Sequence, residues 1–268
     1  MFDCHIHTDF SPDGRMTPVE ACEAALAAGL EGVAFTDHLD IDYPDAEEES
    51  FLFDFEKYIN CMKALKAQKK GELKISVGIE AGIQPHVIGP TLDIVRSWDF
   101  DYVLASVHII DGLDPYIKGY YDGKTQSASY ERYLQELLFM VRNFPDFDNV
   151  AHPEYITRYA CYDDRSLRYN NHTELFDELL REIIKRGKGL EVNTGSFRDK
   201  PGVKTCEYDA GVLKRYRELG GEIVSLSSDA HDTRYIGYKF DFFREVLLEA
   251  GFGHAAYFMD RKPVFYRL

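Results

Sequence analysis

Histidines and carboxylates recur at the ends of short apolar runs along this chain. The clearest case is Asp3-Cys4-His5-Ile6-His7, in which two histidines are separated by one residue. In a β-strand such side chains point to the same face, so both imidazoles can reach one metal ion. Five later runs end in the same residue types: Thr36-Asp37-His38, Gly78-Ile79-Glu80, Ser106-Val107-His108, Ala151-His152-Pro153 and Ser227-Ser228-Asp229-Ala230-His231. Imidazole and carboxylate bind catalytic zinc, iron and manganese, so the pattern predicts a hydrolase with several metal ions.

Strand-like and helix-like segments alternate along the sequence, which predicts an α/β fold with a parallel sheet covered by helices. The predicted strands are 2–7, 32–36, 74–78, 102–107, 149–151, 190–193 and 222–227, the predicted helices are 17–28, 54–70, 91–98, 129–143, 171–186, 208–219 and 238–250, and residues 255–259 and 264–266 form a closing β segment. Seven units in a single domain over residues 1–268 indicate a barrel one unit short of the usual eight. An open doubly wound sheet is the alternative, but it would gather ligands from only two or three strands.

The composition restricts the classes of partner. The net charge is −15 and the sequence shows no basic stripe, so we do not expect a nucleic-acid substrate. No apolar run approaches the ~20 residues that a membrane span needs, and the first strand leaves no room for a signal peptide. The five cysteines are scattered and suit a reducing compartment, so we expect a cytoplasmic protein. Its oligomeric state does not follow from the sequence.

The order of these motifs resembles that of the PHP (polymerase and histidinol phosphatase) family. The resemblance runs from residue 3 to residue 231 and includes Ser11-Pro12-Asp13-Gly14 as well as the runs above. It implies a distorted (β/α)7 TIM-like barrel with three divalent ions, commonly Zn, Mn or Fe, at the C-terminal ends of the strands. The implied ligands are His5, His7, Glu80 and Asp229 for the first ion, Glu80, His108 and His152 for the second, and Asp13, His38 and His231 for the third.

Other interpretations of single residues stay open. Asp13 before a glycine is also typical of a turn, and His38 after Asp37 also fits a hydrogen-bonded loop pair. Asp3 is expected either to orient one of the histidine rings or to cap an edge strand. The remaining histidines are expected to be solvated or capping residues: His86, His172 and His254.

A cluster of divalent ions suits phosphate-ester hydrolysis, because it lowers the pKa of bound water and neutralises charge on the phosphate oxygens. We expect in-line attack by a hydroxide that bridges the first two ions, without a phosphoenzyme. Arg158 and Arg198 lie on loops at the predicted active face, and the resemblance implies that their planar guanidinium groups hold the phosphate. A surface salt bridge is the alternative for each arginine. A metal-bound water, Asp37 or His38 would protonate the leaving alcohol.

The length of the chain and the absence of polymerase domains resemble the stand-alone histidinol-phosphatase branch of the family. We therefore expect hydrolysis of L-histidinol phosphate to L-histidinol and phosphate, a reaction of histidine biosynthesis. Histidinol carries an amine and an imidazole, which acidic and aromatic side chains would bind. Loop position makes five residues available for this: Phe10, Asp40, Asp42, Tyr43 and Tyr116. The alternatives are a phosphoesterase that acts on a nucleotide, a phosphodiester or phosphotyrosine, or a metal-binding module without turnover.

Overall fold

The computed structural model describes residues 1–44, 51–117, 119–198 and 206–268. The strands are β1 (Phe2–Ile6), β2 (Gly32–Phe35), β3 (His38–Asp40), β4 (Lys74–Gly82), β5 (Tyr102–Ser106), β6 (Asn149–Val150), β7 (Gly189–Asn193), β8 (Val224–Ser227), β9 (His254–Met259) and β10 (Lys262–Arg267). The helices are α1 (Pro18–Ala27), α2 (Phe55–Gln68), α3 (Ile88–Ser97), α4 (Gln126–Asn143), α5 (Thr173–Lys185), α6 (Ala210–Glu218) and α7 (Phe240–Glu249). None of these helices combines the length and the apolar composition that crossing a bilayer requires.

Seven parallel strands lie side by side in the order β1-β2-β4-β5-β6-β7-β8. The two outer strands, β1 and β8, meet through a bridge between Ile6 and Ala230. The amide of His7 donates to the Ala230 carbonyl at 2.8 Å, and the amide of Asp229 donates to the His5 carbonyl at 2.8 Å. The sheet therefore curves into a nearly closed barrel, which confirms the predicted seven-unit fold and excludes the open sheet.

The predicted strands and helices all occur, with ends that shift by a few residues. The capping box at the start of α1 is present, because the Thr17 side chain accepts the Glu20 amide and the Glu20 carboxylate accepts the Thr17 amide. The helix α4 begins three residues before its predicted start, since Thr125 caps it. The strand β4 is longer than predicted and pairs first with β2 and then with β3, which the sequence analysis missed.

The hairpin formed by β9 and β10 closes the N-terminal mouth of the barrel. Tyr257 stacks on Phe2 with ring centroids 4.2 Å apart, and Phe258 stacks on Tyr102 at 4.9 Å. The Ser76 hydroxyl donates to the Phe258 carbonyl at 2.8 Å. Aromatic packing thus fills this end of the barrel, and the other end remains available for a site.

Asp3 connects β1 to the loop after β8, at the place where β1 and β8 are not joined by a regular ladder of backbone hydrogen bonds. Its Oδ1 accepts the Ser228 amide at 2.9 Å, and its Oδ2 accepts the Gly237 amide at 2.9 Å. The carboxylate is fully buried and also lies 3.4 Å from the backbone nitrogen of His5. The prediction that Asp3 orients a histidine ring is wrong, because both oxygens accept backbone N–H groups. Its observed role is nearer to the alternative of an edge-strand cap.

We predict that Asp3→Ala lowers the free energy of unfolding of the metal-free protein by about 2–5 kcal/mol, because it leaves two buried amides without an acceptor. Urea denaturation followed by circular dichroism measures this change. Asp9→Ala is the control, since Asp9 is an exposed aspartate on the following loop and its loss is expected to cost less than about 0.5 kcal/mol. Equal stabilities for the two variants would contradict the role of Asp3 at the seam.

Candidate metal centre and active site

The C-terminal ends of the strands surround one cavity of about 800 Å³. It is lined by Asp13, His38, Asp40, Tyr43, Phe51, Glu80, His108, Asp114, Tyr116, Ile117, His152, Tyr155, Arg158, Tyr159, Asp229 and His231. His5 and His7 lie fully buried beside these residues and are joined to Glu80 and Asp229 by close contacts. The nine side chains that the sequence analysis singled out as metal ligands are therefore brought together at one end of the barrel.

The first group consists of His5, His7, Glu80 and Asp229. The Nε2 atoms of the two histidines are 2.8 Å apart. Glu80 Oε2 lies 3.2 Å from the Nε2 of His5 and 3.4 Å from that of His7, and Asp229 Oδ1 lies 3.6 and 3.3 Å from the same two atoms. Ligands that bind zinc tetrahedrally at about 2.0 Å are about 3.3 Å from one another, so these spacings suit one ion.

A second group lies on the other oxygen of Glu80. Glu80 Oε1 is 3.1 Å from His108 Nε2 and 2.6 Å from His152 Nε2. The Glu80 side chain is fully buried, and its two oxygens face different pairs of histidines. It can therefore bridge two ions.

A third group lies nearer the mouth of the cavity. Asp13 Oδ2 is 3.0 Å from His231 Nε2 and 3.7 Å from His38 Nε2, and the two Nε2 atoms are 3.5 Å apart. The pairing of β3 with β4 places His38 directly beside Glu80, with His38 Nδ1 3.1 Å from Glu80 Oε2. This third group thus adjoins the first two.

In three of the histidine rings, a hydrogen bond at Nδ1 leaves Nε2, the nitrogen that faces the other ligands, with a lone pair. His5 Nδ1 bonds to Glu191 Oε1 at 2.8 Å, His108 Nδ1 to Asp40 Oδ1 at 2.9 Å, and His231 Nδ1 to the Asp229 carbonyl at 3.0 Å. We assign the proton of each ring to Nδ1, so that each Nε2 faces other nitrogens or carboxylate oxygens without a hydrogen between them. Buried Glu80 Oε2 also lacks a hydrogen-bond donor in the described chain. A divalent cation among these atoms fits this donor set.

Without an ion, the carboxylates hold protons on some of the rings. Burial lowers the pKa of His5 and of His108, but the carboxylates around them outweigh it and raise both pKa values, that of His108 to about 10. A bound cation would take the place of these protons.

Burial raises the pKa of Glu80, but His5 and His108 more than offset it and hold the pKa well below its usual range. Burial likewise opposes ionisation of Asp229, and Arg158 and His5 lower its pKa below the usual range. For His7, burial lowers the pKa, and the ring is kept in its neutral form. Ionised carboxylates and a neutral imidazole are the forms that bind metal ions.

Two of these side chains extend from a left-handed backbone at the ends of strands. His152 has φ of 21° and Asp229 has φ of 56°, which are unfavourable for residues other than glycine. The Asp229 amide is held by the His5 carbonyl, and the His152 amide by Glu191 Oε2. Tertiary hydrogen bonds thus maintain the local strain that turns both side chains towards the ion groups.

The two predicted phosphate-binding arginines both contact Asp229, one at its carboxylate and the other at its backbone carbonyl. Arg158 lines the cavity and donates through Nη2 to Asp229 Oδ2 at 2.5 Å. Arg198 is not among the described residues of the cavity wall, and its Nη2 donates to the Ser228 and Asp229 carbonyls at 2.8 and 2.6 Å. The guanidinium of Arg198 also lies over the Tyr235 ring at 4.4 Å. The structure therefore places Arg158 in the cavity wall and Arg198 against the backbone of the loop that carries Asp229.

Asp37, one of the three candidate proton donors to the leaving group, is contradicted by its position in the structure. Asp37 is fully buried and is not among the described residues that line the cavity. Its Oδ1 accepts the Thr8 amide at 2.7 Å and the Ser11 hydroxyl at 2.7 Å. Ser11 Oγ in turn accepts the His38 amide at 3.0 Å. Asp37 thus organises the loop after β1 and the start of β3.

Only some of the residues predicted to contact the leaving alcohol line the cavity. Tyr43, Asp40 and Tyr116 line the cavity. Phe10 instead packs edge-on against Tyr58 and Phe53 near α2. Asp42 pairs with His86 at the surface at 2.8 Å. Neither Phe10 nor Asp42 is among the described residues that line the cavity, so both predictions are wrong. The other two histidines outside the motifs, His172 and His254, also lie away from the described cavity wall.

Two acidic residues of this site were missed by the sequence analysis. Asp114 lines the cavity, where its oxygens accept the hydroxyls of Tyr43 at 2.7 Å and Tyr155 at 2.8 Å. Glu191 is fully buried in β7 and contacts His5. An acid inside the apolar strand 190–193 was a signal for Glu191. No comparable signal marked Asp114, because it lies on a long loop.

The chain is similar to known proteins over most of its length. Residues 3–195 match the PHP domain. A probable histidinol-phosphatase of Clostridium acetobutylicum is 35% identical over 240 residues, which are 90% of this chain and 90% of that protein. A histidinol-phosphatase of Lactococcus lactis subsp. lactis is 31% identical over 261 residues, or 97% of this chain and 95% of that protein.

Solved structures agree with these matches. The crystal structure of histidinol phosphate phosphatase from Lactococcus lactis subsp. lactis, complexed with zinc, L-histidinol and phosphate, superposes with a TM-score of 0.89 at 30% identity and covers 98% of both chains. A putative histidinol phosphatase from Listeria monocytogenes has a TM-score of 0.76 at 18% identity, covers 91% of this chain and all of that one, and shares the fold. With its nearly closed seven-stranded barrel and clustered histidines, the chain belongs to the PHP family.

Proposed function

We propose that this chain is a metal-dependent phosphatase that hydrolyses L-histidinol phosphate to L-histidinol and inorganic phosphate. The main structural support is the convergence of histidines and carboxylates around one cavity, with Glu80 between two pairs of histidines. Identity of 31–35% to two histidinol-phosphatases over nearly the whole chain directs the proposal to this substrate. The chain would thus supply an amino alcohol to the next step of histidine biosynthesis.

We infer three ion sites from the three groups of ligand atoms. We assign His5, His7, Glu80 and Asp229 to the first ion, Glu80, His108 and His152 to the second, and Asp13, His38 and His231 to the third. Imidazole and carboxylate suit zinc, manganese and iron, and the similar Lactococcus lactis enzyme was solved with zinc. Because His38 Nε2 belongs to the third group, we retain His38 as a ligand and not as the proton donor.

We infer that Arg158 and the three ligand groups together form the binding site for the phosphate. Bound divalent ions would lower the pKa of water and neutralise negative charge on the phosphate oxygens. Arg158 adds a fixed positive charge, since its Nε donates to the Ser196 hydroxyl at 2.9 Å and its Nη2 to Asn193 Oδ1 at 3.1 Å and to Asp229. No residue in the described chain accepts a hydrogen bond from Nη1, so this group is available for a phosphate oxygen.

Arg198 contacts the backbone of the loop that carries Asp229. Its bonds to the Ser228 and Asp229 carbonyls hold the loop that carries Asp229 and His231, two of the proposed ligands. These two bonds use Nη2 alone, and the buried Nε of Arg198 has no hydrogen-bond partner among the described residues. We therefore propose that Arg198 positions Asp229 and keeps a donor for a phosphate oxygen.

An aromatic wall of the cavity, which adjoins the histidine ligands, suits the histidinol group. It contains Tyr43, Phe51, Tyr116, Tyr155 and Tyr159, which surround Asp114. Asp114 also accepts the Tyr116 amide at 2.7 Å, so it fixes three segments of this wall. Aromatic faces can pack on an imidazole, and buried Asp114 supplies negative charge near a protonated amine.

A substrate panel tests the proposed function. The purified protein, loaded separately with Zn²⁺ and Mn²⁺, is assayed for phosphate release from L-histidinol phosphate, AMP, phosphotyrosine and p-nitrophenyl phosphate, and for cleavage of a phosphodiester. We expect kcat/KM for L-histidinol phosphate to exceed the others by about 100-fold or more, because its leaving group combines an imidazole for the aromatic wall with a protonated amine for Asp114 and has no carboxylate. A higher kcat/KM for another ester would show that L-histidinol phosphate is not the preferred substrate. Fewer than two bound ions per chain, together with no turnover of any ester, would indicate a metal-binding module without activity.

The two arginines are expected to be needed for turnover. Arg158→Ala and Arg198→Ala should each lower kcat/KM for L-histidinol phosphate by about 100-fold, Arg158 through a lost charge-assisted contact and Arg198 through a misplaced Asp229. Arg234→Ala is the matched control, because Arg234 is exposed and pairs with Asp232 at the surface. Steady-state kinetics on metal-loaded protein measure the effect, and a variant with wild-type kcat/KM would remove that arginine from the site.

Asp114→Asn tests the leaving-group wall. We expect KM for L-histidinol phosphate to rise about tenfold, because the variant removes the negative charge near the amine, while kcat/KM for p-nitrophenyl phosphate changes less than about threefold. Asp111→Asn on the same loop is the control, since Asp111 pairs with Arg132 at the surface. Equal losses for both substrates would show that Asp114 supports the fold of the cavity and does not select the alcohol.

A further inference from the structure

Glu191 lies inside the barrel, outside the proposed ligand set. It is the third residue of β7, and its side chain is fully buried. A buried carboxylate is costly unless several donors and a nearby positive charge compensate it. The contacts of Glu191 therefore indicate its role.

The two oxygens of Glu191 serve two different ligand residues. Oε1 accepts the Nδ1–H of His5 at 2.8 Å, and Oε2 accepts the backbone N–H of His152 at 2.5 Å. Asn193 donates to Oε2 at 3.1 Å and so holds the carboxylate in this orientation. The donors to Glu191 are thus an imidazole, a backbone amide and a side-chain amide.

These partners belong to different ion groups. His5 is part of the first group and His152 is part of the second, and their rings are 5.6 Å apart between centroids. The bond to His5 fixes the tautomer that presents Nε2 to the first ion and increases its basicity. The bond to the His152 amide holds a backbone with φ of 21°, which sets the direction of a ligand to the second ion.

The charge of Glu191 also favours ions in both groups. With neutral donors only, the buried anion depends on positive charge close by, which cations held by His5 and His152 would supply. The third group has a separate support, because His231 Nδ1 bonds to the Asp229 carbonyl and not to Glu191.

We propose that Glu191 is a positioning residue that couples the first and second ion groups, so that both ions are weakened together when its charge is lost. This inference rests on the proposed function only for the assignment of the ion groups. It predicts a partial loss of metal, in which the third ion is retained.

Metal content tests this coupling without reference to activity. Wild type, Glu191→Gln and the control Glu154→Gln are dialysed against a series of buffered free Zn²⁺ concentrations, and zinc per chain is measured by mass spectrometry. Glu154 is a matched buried glutamate near His152 that lies outside the ligand groups. We expect affinity for two of three ions to fall about 10- to 100-fold in Glu191→Gln only. When Co²⁺ replaces zinc, the visible absorption of the same two sites should be weaker in Glu191→Gln than in the wild type.

The outcomes distinguish this inference from the proposed function. Wild-type zinc affinity and an unchanged Co²⁺ spectrum in Glu191→Gln would overturn the coupling, and so would the loss of one ion alone or of all three. Absence of metal from the wild type would overturn the ion assignment itself. Thermal unfolding of the metal-free variants reports on the fold. If Glu191→Gln does not fold, Glu191→Asp replaces it, because the shorter acid cannot reach both partners and should weaken the same two ions, whereas wild-type affinity would contradict the proposal.

Discussion

The site is organised around one carboxylate, Glu80, whose two oxygens lie between opposing imidazoles. His5 and His7 approach Oε2, and His108 and His152 approach Oε1. Without a cation, so many lone pairs and negative charges in a buried space would repel one another. The barrel makes such an arrangement possible, because strands from distant parts of the sequence end on the same face and hold the side chains there.

A layer of acids outside the proposed ligand set supports this centre. Asp3 joins the two sides of the barrel seam, and Asp37 fixes the loop that leads to His38. Asp40 and Glu191 bond to the outer ring nitrogens of His108 and His5. Each carboxylate accepts hydrogen bonds that fix a backbone segment or a ring, so the ligands are held in place before any ion binds.

The two halves of the cavity suit two parts of one substrate. Arg158 presents a fixed positive charge and donors, to which cations held by the three ligand groups would add, and this half suits a phosphate. The aromatic wall presents tyrosines around Asp114, which suit a cationic, aromatic alcohol. The PHP barrel supplies the first half, whereas the second half comes from loops, including the long loop between β5 and α4. Selectivity for the alcohol is therefore expected to depend on loop residues.

The sequence alone determined the barrel class and the order of its units, because hydrophobic periodicity is a local property. It also determined the set of side chains that meet at the rim, through the order of motifs that resembles that of the PHP family. It did not determine the seam or the wall of the cavity. Phe10 and Asp42 follow strands closely enough to suggest a site, yet one packs in the core and the other pairs at the surface. The roles of Asp37, Arg198 and Glu191 were decided by the tertiary structure, because a buried polar side chain takes its function from the donors and acceptors that folding places around it.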